Sequence, residues 1–290
     1  MHLSLTLDRL LLHRPVITDG AWGTQLQARG LAIGECPEAW NLRFPERVEE
    51  VARAYVAAGS RVLLTNTFGA NRFALQRHGL AEQAVEINRA GVAISRRAAG
   101  NRVAVFASVG PTGQMMMDAD QEAIREAFEE QTAALAEAGA DAMVVETMSD
   151  LHEAILATTA AVATGLPVVV CMAFGVGRTS DRTLMGVAPE EAAHALEEAG
   201  ASVIGTNCGM GAEAMLPICR RLRAATNRPL WMKPNAGLPE LVEGKAVYKT
   251  TPAEFATAAR ALVQAGADFI GGCCGTGPDF IRRLAEELRA

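Results

Sequence analysis

The sequence predicts an α/β protein built as a (β/α)8 TIM barrel, and three observations predict it. Eight short apolar runs alternate with helical segments along the whole chain. Those runs are continuous in Val, Ile, Leu and Ala rather than alternating with polar residues, as expected of parallel strands covered on both faces. Eight such units in 290 residues match the size of this barrel, with a doubly wound open sheet as the second choice. Half of the residues are hydrophobic and only 5% are aromatic. The core must therefore be aliphatic, and the chain is long enough to bury a large one. No Gly-Ser linker or low-complexity tract interrupts the series, so residues 1–290 read as one domain.

The elements follow in order. Arg14-Pro15-Val16-Ile17-Thr18 is the first strand, ending at Asp19-Gly20. An irregular excursion over residues 21–44 precedes a helix at 46–58, opened by Pro45 and closed by Gly59. Val48, Val51, Ala52 and Tyr55 form its apolar face at helical spacing. The second strand is 61–65, ending at Asn66, and helical segments run on to about residue 99. The third strand is 103–108, followed by Val109-Gly110-Pro111 and a long helix at 121–138. The fourth, 142–145, ends at Glu146-Thr147, and Asp150 is placed to cap the next helix. The fifth is 167–174, followed by a polar loop at 175–186 and a helix opened by Pro189. The sixth, 202–205, ends at Thr206-Asn207-Cys208. The seventh, 229–232, ends at Lys233-Pro234-Asn235. The eighth is 267–270, ending at Gly271-Gly272-Cys273-Cys274-Gly275-Thr276, and the last helix is 278–288.

Composition excludes several function classes. A net charge of −6 argues against a nucleic-acid partner, which would need a basic face. No apolar run approaches the roughly 18 residues of a membrane helix. Met1-His2-Leu3-Ser4-Leu5 has no signal-peptide pattern, so a cytoplasmic protein is expected. In that compartment the six cysteines are not a disulfide framework. They are metal ligands, reactive thiols or core residues.

In a barrel the side chains at the strands' C-terminal ends converge on one mouth. Reading those ends gives Asp19, Asn66, Glu146, Cys208, Asn235, Cys273 and Cys274. The sixth and eighth strands are separated by one strand, so Cys208 can approach the Cys273-Cys274 pair. Three thiolates suit zinc, and three protein ligands leave one coordination position open. Such a centre would hold an incoming thiol as its nucleophilic thiolate. The alternatives are structural. The cysteine pair could be core filling or redox-active, and Asp19 and Glu146 could cap helices. Asn66 and Asn235 could be turn residues bonded to their own backbone. Cys171 and Cys219 read as core, and Cys36 has no role. Lys233 suits a surface or ion-pair position better than a Schiff base. Met115-Met116-Met117 reads as an apolar mouth or a buried flap. No phosphate-cradling GxGxxG or P-loop spacing occurs.

Several of these segments are familiar together: Asp19-Gly20-Ala21-Trp22-Gly23-Thr24, Thr65-Asn66-Thr67-Phe68-Gly69-Ala70, Gly110-Pro111-Thr112-Gly113 and Glu146-Thr147. With Asn207-Cys208, Pro234-Asn235-Ala236-Gly237 and Gly271-Gly272-Cys273-Cys274-Gly275-Thr276, they resemble the zinc-dependent homocysteine S-methyltransferase family. Within it, the closest resemblance is to the homocysteine-binding barrel of cobalamin-dependent methionine synthase. The resemblance covers nearly the whole chain. It implies that Cys208, Cys273 and Cys274 hold Zn2+, and that Asp19 and Glu146 lie near the homocysteine amino group. It also places the backbone of the Gly20 to Gly23 turn near the amino acid and brings Asn235 toward the metal when substrate is absent. Relatives take the methyl group from methylcobalamin, from S-methylmethionine or S-adenosylmethionine, or from betaine. Gly275 and the Thr65 to Gly69 segment resemble the cobalamin-linked branch. The sequence shows no cobalamin- or folate-binding segment, so methylcobalamin is expected on a separate corrinoid protein. The residues 115–118 and 175–186 are its candidate docking loops. A non-catalytic thiol- and zinc-binding subunit is the reading from another class.

Overall fold

The computed structural model describes residues 5–242 and 245–289. The leader reading of Met1 to Ser4, and His2 with it, lies outside the described residues. The chain opens with α1 (Leu5–Leu11) and β1 (Val16–Ile17). Short helices α2 (Gly23–Gln27) and α3 (Trp40–Arg43) punctuate the excursion before α4 (Pro45–Ala58) and β2 (Val62–Leu64). Then come α5 (Arg72–Gln76), α6 (Ala84–Ala99) and β3 (Ala104–Val109), α7 (Gln121–Glu137) and β4 (Ala142–Met148), and α8 (Leu151–Ala163) and β5 (Val168–Met172). A hairpin of β6 (Phe174–Val176) and β7 (Arg182–Thr183) leads to α9 (Pro189–Glu198), β8 (Val203–Gly211), α10 (Ala212–Ala225) and β9 (Leu230–Asn235). A second hairpin, β10 (Glu240–Val242) and β11 (Lys245–Val247), precedes α11 (Pro252–Gln264), β12 (Phe269–Ile270) and α12 (Pro278–Glu287).

Eight of these strands form one parallel sheet in the order β1-β12-β9-β8-β5-β4-β3-β2. The ends of that order, β1 and β2, meet across a seam: the Arg61 amide donates to the Ile17 carbonyl at 2.7 Å. One turn higher, a side chain replaces the ladder, and the Leu64 amide donates to the Asp19 carboxylate at 2.8 Å. The architecture is a (β/α)8 TIM barrel, as the sequence predicts.

Two apolar layers explain why the strands show no alternation. Val16, Val62, Leu64, Phe106, Val144, Val169, Val203, Trp231 and Phe269 fill the barrel interior. Their neighbours Ile17, Leu63, Val105, Met143, Val168, Ile204 and Met232 pack outward against the helices. Both faces are apolar, so the period of two is hidden in the sequence. Phe106, Trp231 and Phe269 stack across the interior, with centroid separations of 6.1 and 5.2 Å.

Helix α1, which the sequence reading lacks, contributes Leu7 and Leu11 to that interior cluster. Burying each is worth about 1.5–3 kcal/mol. The loop expected at 175–186 contains the first hairpin, and strands β4, β8 and β9 run past their predicted ends into the mouth. Polar residues there continue the ladder: Asn207 pairs in register with Lys233, and Gly211 with Asn235. Asp150 caps α8, accepting from the His152 and Glu153 amides.

Candidate metal centre and substrate pocket

The cysteine cluster is made by two strand ends that bend for different reasons. On β8 the register with β9 slips between Asn207 and Gly211. Cys208 takes a left-handed backbone conformation there, φ 62°, which is uncommon outside glycine and costs energy. After β12 the chain turns at Gly271-Gly272. A Cβ on Gly272 would fall 2.2 Å from Thr276 Oγ1, so only glycine lets the corner close. The turn is then tied to β9. The Cys273 amide donates to the Pro234 carbonyl at 2.8 Å, and the Cys274 carbonyl accepts from the Ala236 amide at 2.9 Å. The Cys274 amide donates to Asn235 Oδ1 at 3.1 Å.

This brings the sulfurs of Cys208, Cys273 and Cys274 to within 4.8 Å of one another, with Cys208 and Cys274 3.9 Å apart. Among the described residues it is the one such grouping of potential ligands. The Asn207 amide reaches Cys273 at 3.9 Å, while the Asn235 side chain and the Gly209 amide act to lower the Cys208 pKa and Tyr248 acts to lower that of Cys274. Hydrogen bonds from the Cys273 and Cys274 thiols pull the Cys208 pKa down. The same sharing, with burial behind it, holds those of Cys273 and Cys274 up. Three converging sulfurs fit Zn2+, which favours thiolate and imidazole ligands.

Beside the cluster lies a buried charged floor. Asp19 is fully buried and accepts from Lys233 Nζ at 2.5 Å, Trp22 Nε1 at 2.8 Å and the Leu64 amide. Burial opposes the Lys233 charge, but Asp19 and Glu146 outweigh it and raise its pKa. Lys233 is thus an interior ion-pair partner, and the surface alternative is corrected. Glu146 accepts from Ser108 Oγ at 2.5 Å and from Asn207 Nδ2 at 3.1 Å. Burial raises its pKa, although Lys233 and the Ser108 hydrogen bond act the other way. Neither acid caps a helix: α2 has no side-chain cap, and Asp150 serves α8. Asn207 organises this corner. Its Oδ1 accepts from the Thr147 amide at 2.7 Å and its Nδ2 donates to Thr147 Oγ1 at 2.7 Å, holding Thr147 at φ 62°.

A cavity of about 430 Å3 opens over these groups, bounded by Gly20, Trp22, Phe68, Glu146, Lys233 and the three cysteines. Asn235 lies behind the cluster instead, on a neighbouring cavity shared with Gly211, Gly237 and Thr250. Asn66 bonds to the Pro37 carbonyl and Asn41 Oδ1 rather than to its own turn. Cys171 and Cys219 are core residues. Of the three methionines, Met116 is buried while Met115 and Met117 are exposed. Sequence reasoning passed over Ser108, Tyr248 and the organising side chain of Asn207. For Ser108 and Asn207 a signal existed in their positions at strand ends. Tyr248 is at no strand end of the barrel.

The comparisons agree with this geometry. The family model for homocysteine S-methyltransferase matches residues 16–288. A methionine synthase of Mycobacterium tuberculosis is 33% identical over 95% of this chain, which spans only 25% of that protein. Betaine–homocysteine S-methyltransferase 1 of Mus musculus is 31% identical over 97% of this chain and 74% of its own length. The crystal structure of the homocysteine methyltransferase MmuM from Escherichia coli in its oxidized form superposes with a TM-score of 0.80 at 25% identity. That match covers 97% of this chain and 99% of that one. The chain belongs to the homocysteine S-methyltransferase family.

Proposed function

We propose that the chain is a zinc-dependent S-methyltransferase that moves a methyl group from a methylated corrinoid protein to the sulfur of homocysteine, giving methionine. The observation that carries this reading is the convergence of three cysteine sulfurs beside Glu146 in one cavity. Zn2+ held by Cys208, Cys273 and Cys274 would supply a Lewis acid that makes a thiol available as thiolate near neutral pH.

The chain's own residues do the rest. Glu146 faces the amino group of the amino acid, and an arriving ammonium supplies the counter-charge that its burial leaves wanting. Asp19, neutralised by Lys233, holds Trp22 and the β1–β2 seam and so fixes the Gly20 to Gly23 backbone against the substrate. Asn207 keeps Glu146 and Cys273 in one frame. Asn235 supports the cluster from behind through the Cys274 amide and would approach the metal when substrate is absent. Trp22 and Phe68 provide apolar walls that exclude water from the sulfur. As the S–CH3 bond forms, the bond from carbon to the donor breaks, and the thiol proton has already been released on binding.

For the donor, exposed Met115 and Met117 in one mouth loop and Leu184 and Met185 in another offer an apolar rim to a carrier protein. A second reading keeps the site but takes the methyl group from betaine, S-methylmethionine or S-adenosylmethionine. The likeness to betaine–homocysteine S-methyltransferase over 74% of that protein favours it. A third is a thiol- and zinc-binding subunit without turnover. The test is a donor panel: zinc-loaded protein, homocysteine, and in turn each free donor and a methylated corrinoid protein, with methionine measured. Methionine is expected from the corrinoid protein alone. Turnover with a free donor replaces the donor assignment, and homocysteine binding without turnover on any donor leaves only the subunit reading.

A further inference from the structure

A cavity at the opposite end of the barrel from the cysteines gathers cations. It measures about 540 Å3 and opens between α1 and the points where β2, β3 and β4 begin. Arg9 of α1, Arg61 at the start of β2, Arg96 in the last turn of α6 and Arg102 in the turn before β3 all border it, with His13 beside them. Among the described residues, Asp141 is the one acid on its wall. Such a gathering of guanidinium groups is unexpected in a chain whose net charge is −6.

The charges do not cancel within the protein. Asp141 is already occupied: its Oδ1 pairs with Arg96 at 2.6 Å, and its Oδ2 accepts from the Val105 amide at 2.8 Å. Arg61 is half-buried and donates to the carbonyls of His13 at 2.5 Å and Leu10 at 3.3 Å. It thereby ties down the end of α1, but carbonyls bring no net charge. Burial alone moves the Arg61 pKa, and moves it down, as for a cation with no anion beside it. Arg9 and Arg102 form no ion pair among the described residues. Three positive charges therefore border one cavity uncompensated.

We propose that this cavity binds a small polyphosphate, free or carried on a nucleoside. Guanidinium forks match phosphate oxygens in pairs. The space is far larger than one phosphate needs and has the size of a small-ligand pocket. Leu10, Leu12 and Val103 line it too and offer an apolar wall to an organic group. A nucleic-acid strand is disfavoured, because the cations are confined to one cavity of a chain that is acidic as a whole. Chemistry in a barrel takes place at the C-terminal ends of the strands, so a ligand here takes no part in the reaction at the cysteines. It joins α1 to β2 and to the turn before β3. The Arg61 amide also supplies the backbone bond of the β1–β2 seam, so occupancy should stabilise the closed barrel.

Calorimetric titration of the full chain with inorganic triphosphate, and separately with ATP, tests the site. Both probes should bind, and each should raise Tm as its concentration rises. Arg9→Glu and Arg102→Glu, both at exposed positions, should each weaken binding about 10-fold or more. Zinc content and the far-ultraviolet signal should stay as in the wild type. Arg9→Gln and Arg102→Gln, which remove the charge without reversing it, carry the test if a reversal fails to fold. Triphosphate also chelates metals, so the titration is repeated on Cys273→Ala, whose affinity for the probe should match that of the wild type. Equal affinity for the two probes assigns recognition to the phosphates alone, and tighter binding of ATP adds the apolar wall. Absence of binding by both probes overturns the proposal. So does binding that the Arg9 and Arg102 variants leave unchanged, or that Cys273→Ala abolishes. Tighter binding of a single-stranded oligonucleotide than of either probe would replace it with a nucleic-acid face.

Discussion

The carboxyl group of Glu146 is buried beside the cysteine cluster. Burial raises its pKa even though Lys233 and the Ser108 hydroxyl act in the opposite sense. An unfolded glutamate titrates near 4.5, so above that pH the folded chain holds a proton that the unfolded chain has lost. Stability from this group is fully present below the unfolded value and is lost as pH rises through the folded one. Glu146→Gln should therefore be more stable at neutral pH, by about 1 kcal/mol or roughly 2–4 °C in Tm. Its advantage over the wild type should shrink as pH falls toward about 4.5. Homocysteine affinity should drop about 10-fold or more, since a buried charge-assisted contact to the ammonium is lost. Thermal melts over that pH range and calorimetric titration with homocysteine check both halves, and a pH-independent difference in Tm sinks the first. The residues that carry charge or sulfur in this corner were legible in the sequence because strand ends in a barrel share one mouth. Their partners were not. Nothing in the spacing of Ser108 or Asn207 states that both would donate to Glu146, and the packing of the Tyr248 ring on Gly275 is a long-range approach.

Strands β1 and β2 pose a problem that the other neighbours in the barrel do not, because they join through one backbone hydrogen bond from Arg61 and through the carboxylate of Asp19. Asp19 can serve only if its charge is compensated, and Lys233 from β9 does so across the mouth at 2.5 Å. Removing one partner from a buried pair leaves an uncompensated charge and typically costs about 3–5 kcal/mol. Lys233→Met should show that loss in urea denaturation with an unchanged m-value. The double variant Asp19→Asn with Lys233→Met should recover most of it, and equal losses in single and double variants would refute the role of charge. Elsewhere, local signals decide element ends. Asp150 opens α8 with two accepted amide bonds, and Asp150→Ala should cost about 1 kcal/mol while leaving metal content unchanged. The alternation of strand and helix, and most helix boundaries, could be read from these caps, from prolines at first turns and from apolar runs. The hairpins and the extended ends of β4, β8 and β9 could not, because their polar and glycine-rich residues look like loop. Helix α1 escaped because seven residues carry too few turns for a periodicity to register, although Leu7 and Leu11 complete the interior core.

Across the whole molecule, the chemistry and the stability occupy different places. The apolar clusters run through the barrel interior and between strands and helices, and the three ligand cysteines belong to neither. A small metal-dependent domain folds only around its ion, but here the apolar clusters do not include the ligand cysteines. Metal should therefore add to stability without being required for the fold. A ligand present at 100 times its Kd adds about 2.7 kcal/mol, which at roughly 2–4 °C per kcal/mol amounts to some 5–11 °C in Tm for a protein of this size. Stripping the protein with a chelator should lower Tm by that order, keep the helical far-ultraviolet signal at 25 °C, and be reversed by adding zinc. Cys273→Ala should behave as the stripped protein does from the outset, with its metal content falling from about one zinc per chain to none and its Tm indifferent to chelator. Full zinc retention by Cys273→Ala would remove that residue from the ligand set. Unfolding of the wild type on chelation at 25 °C would show instead that the core depends on the ion. The first outcome bears on the site and the second on the fold, so one titration followed by metal analysis and circular dichroism separates them.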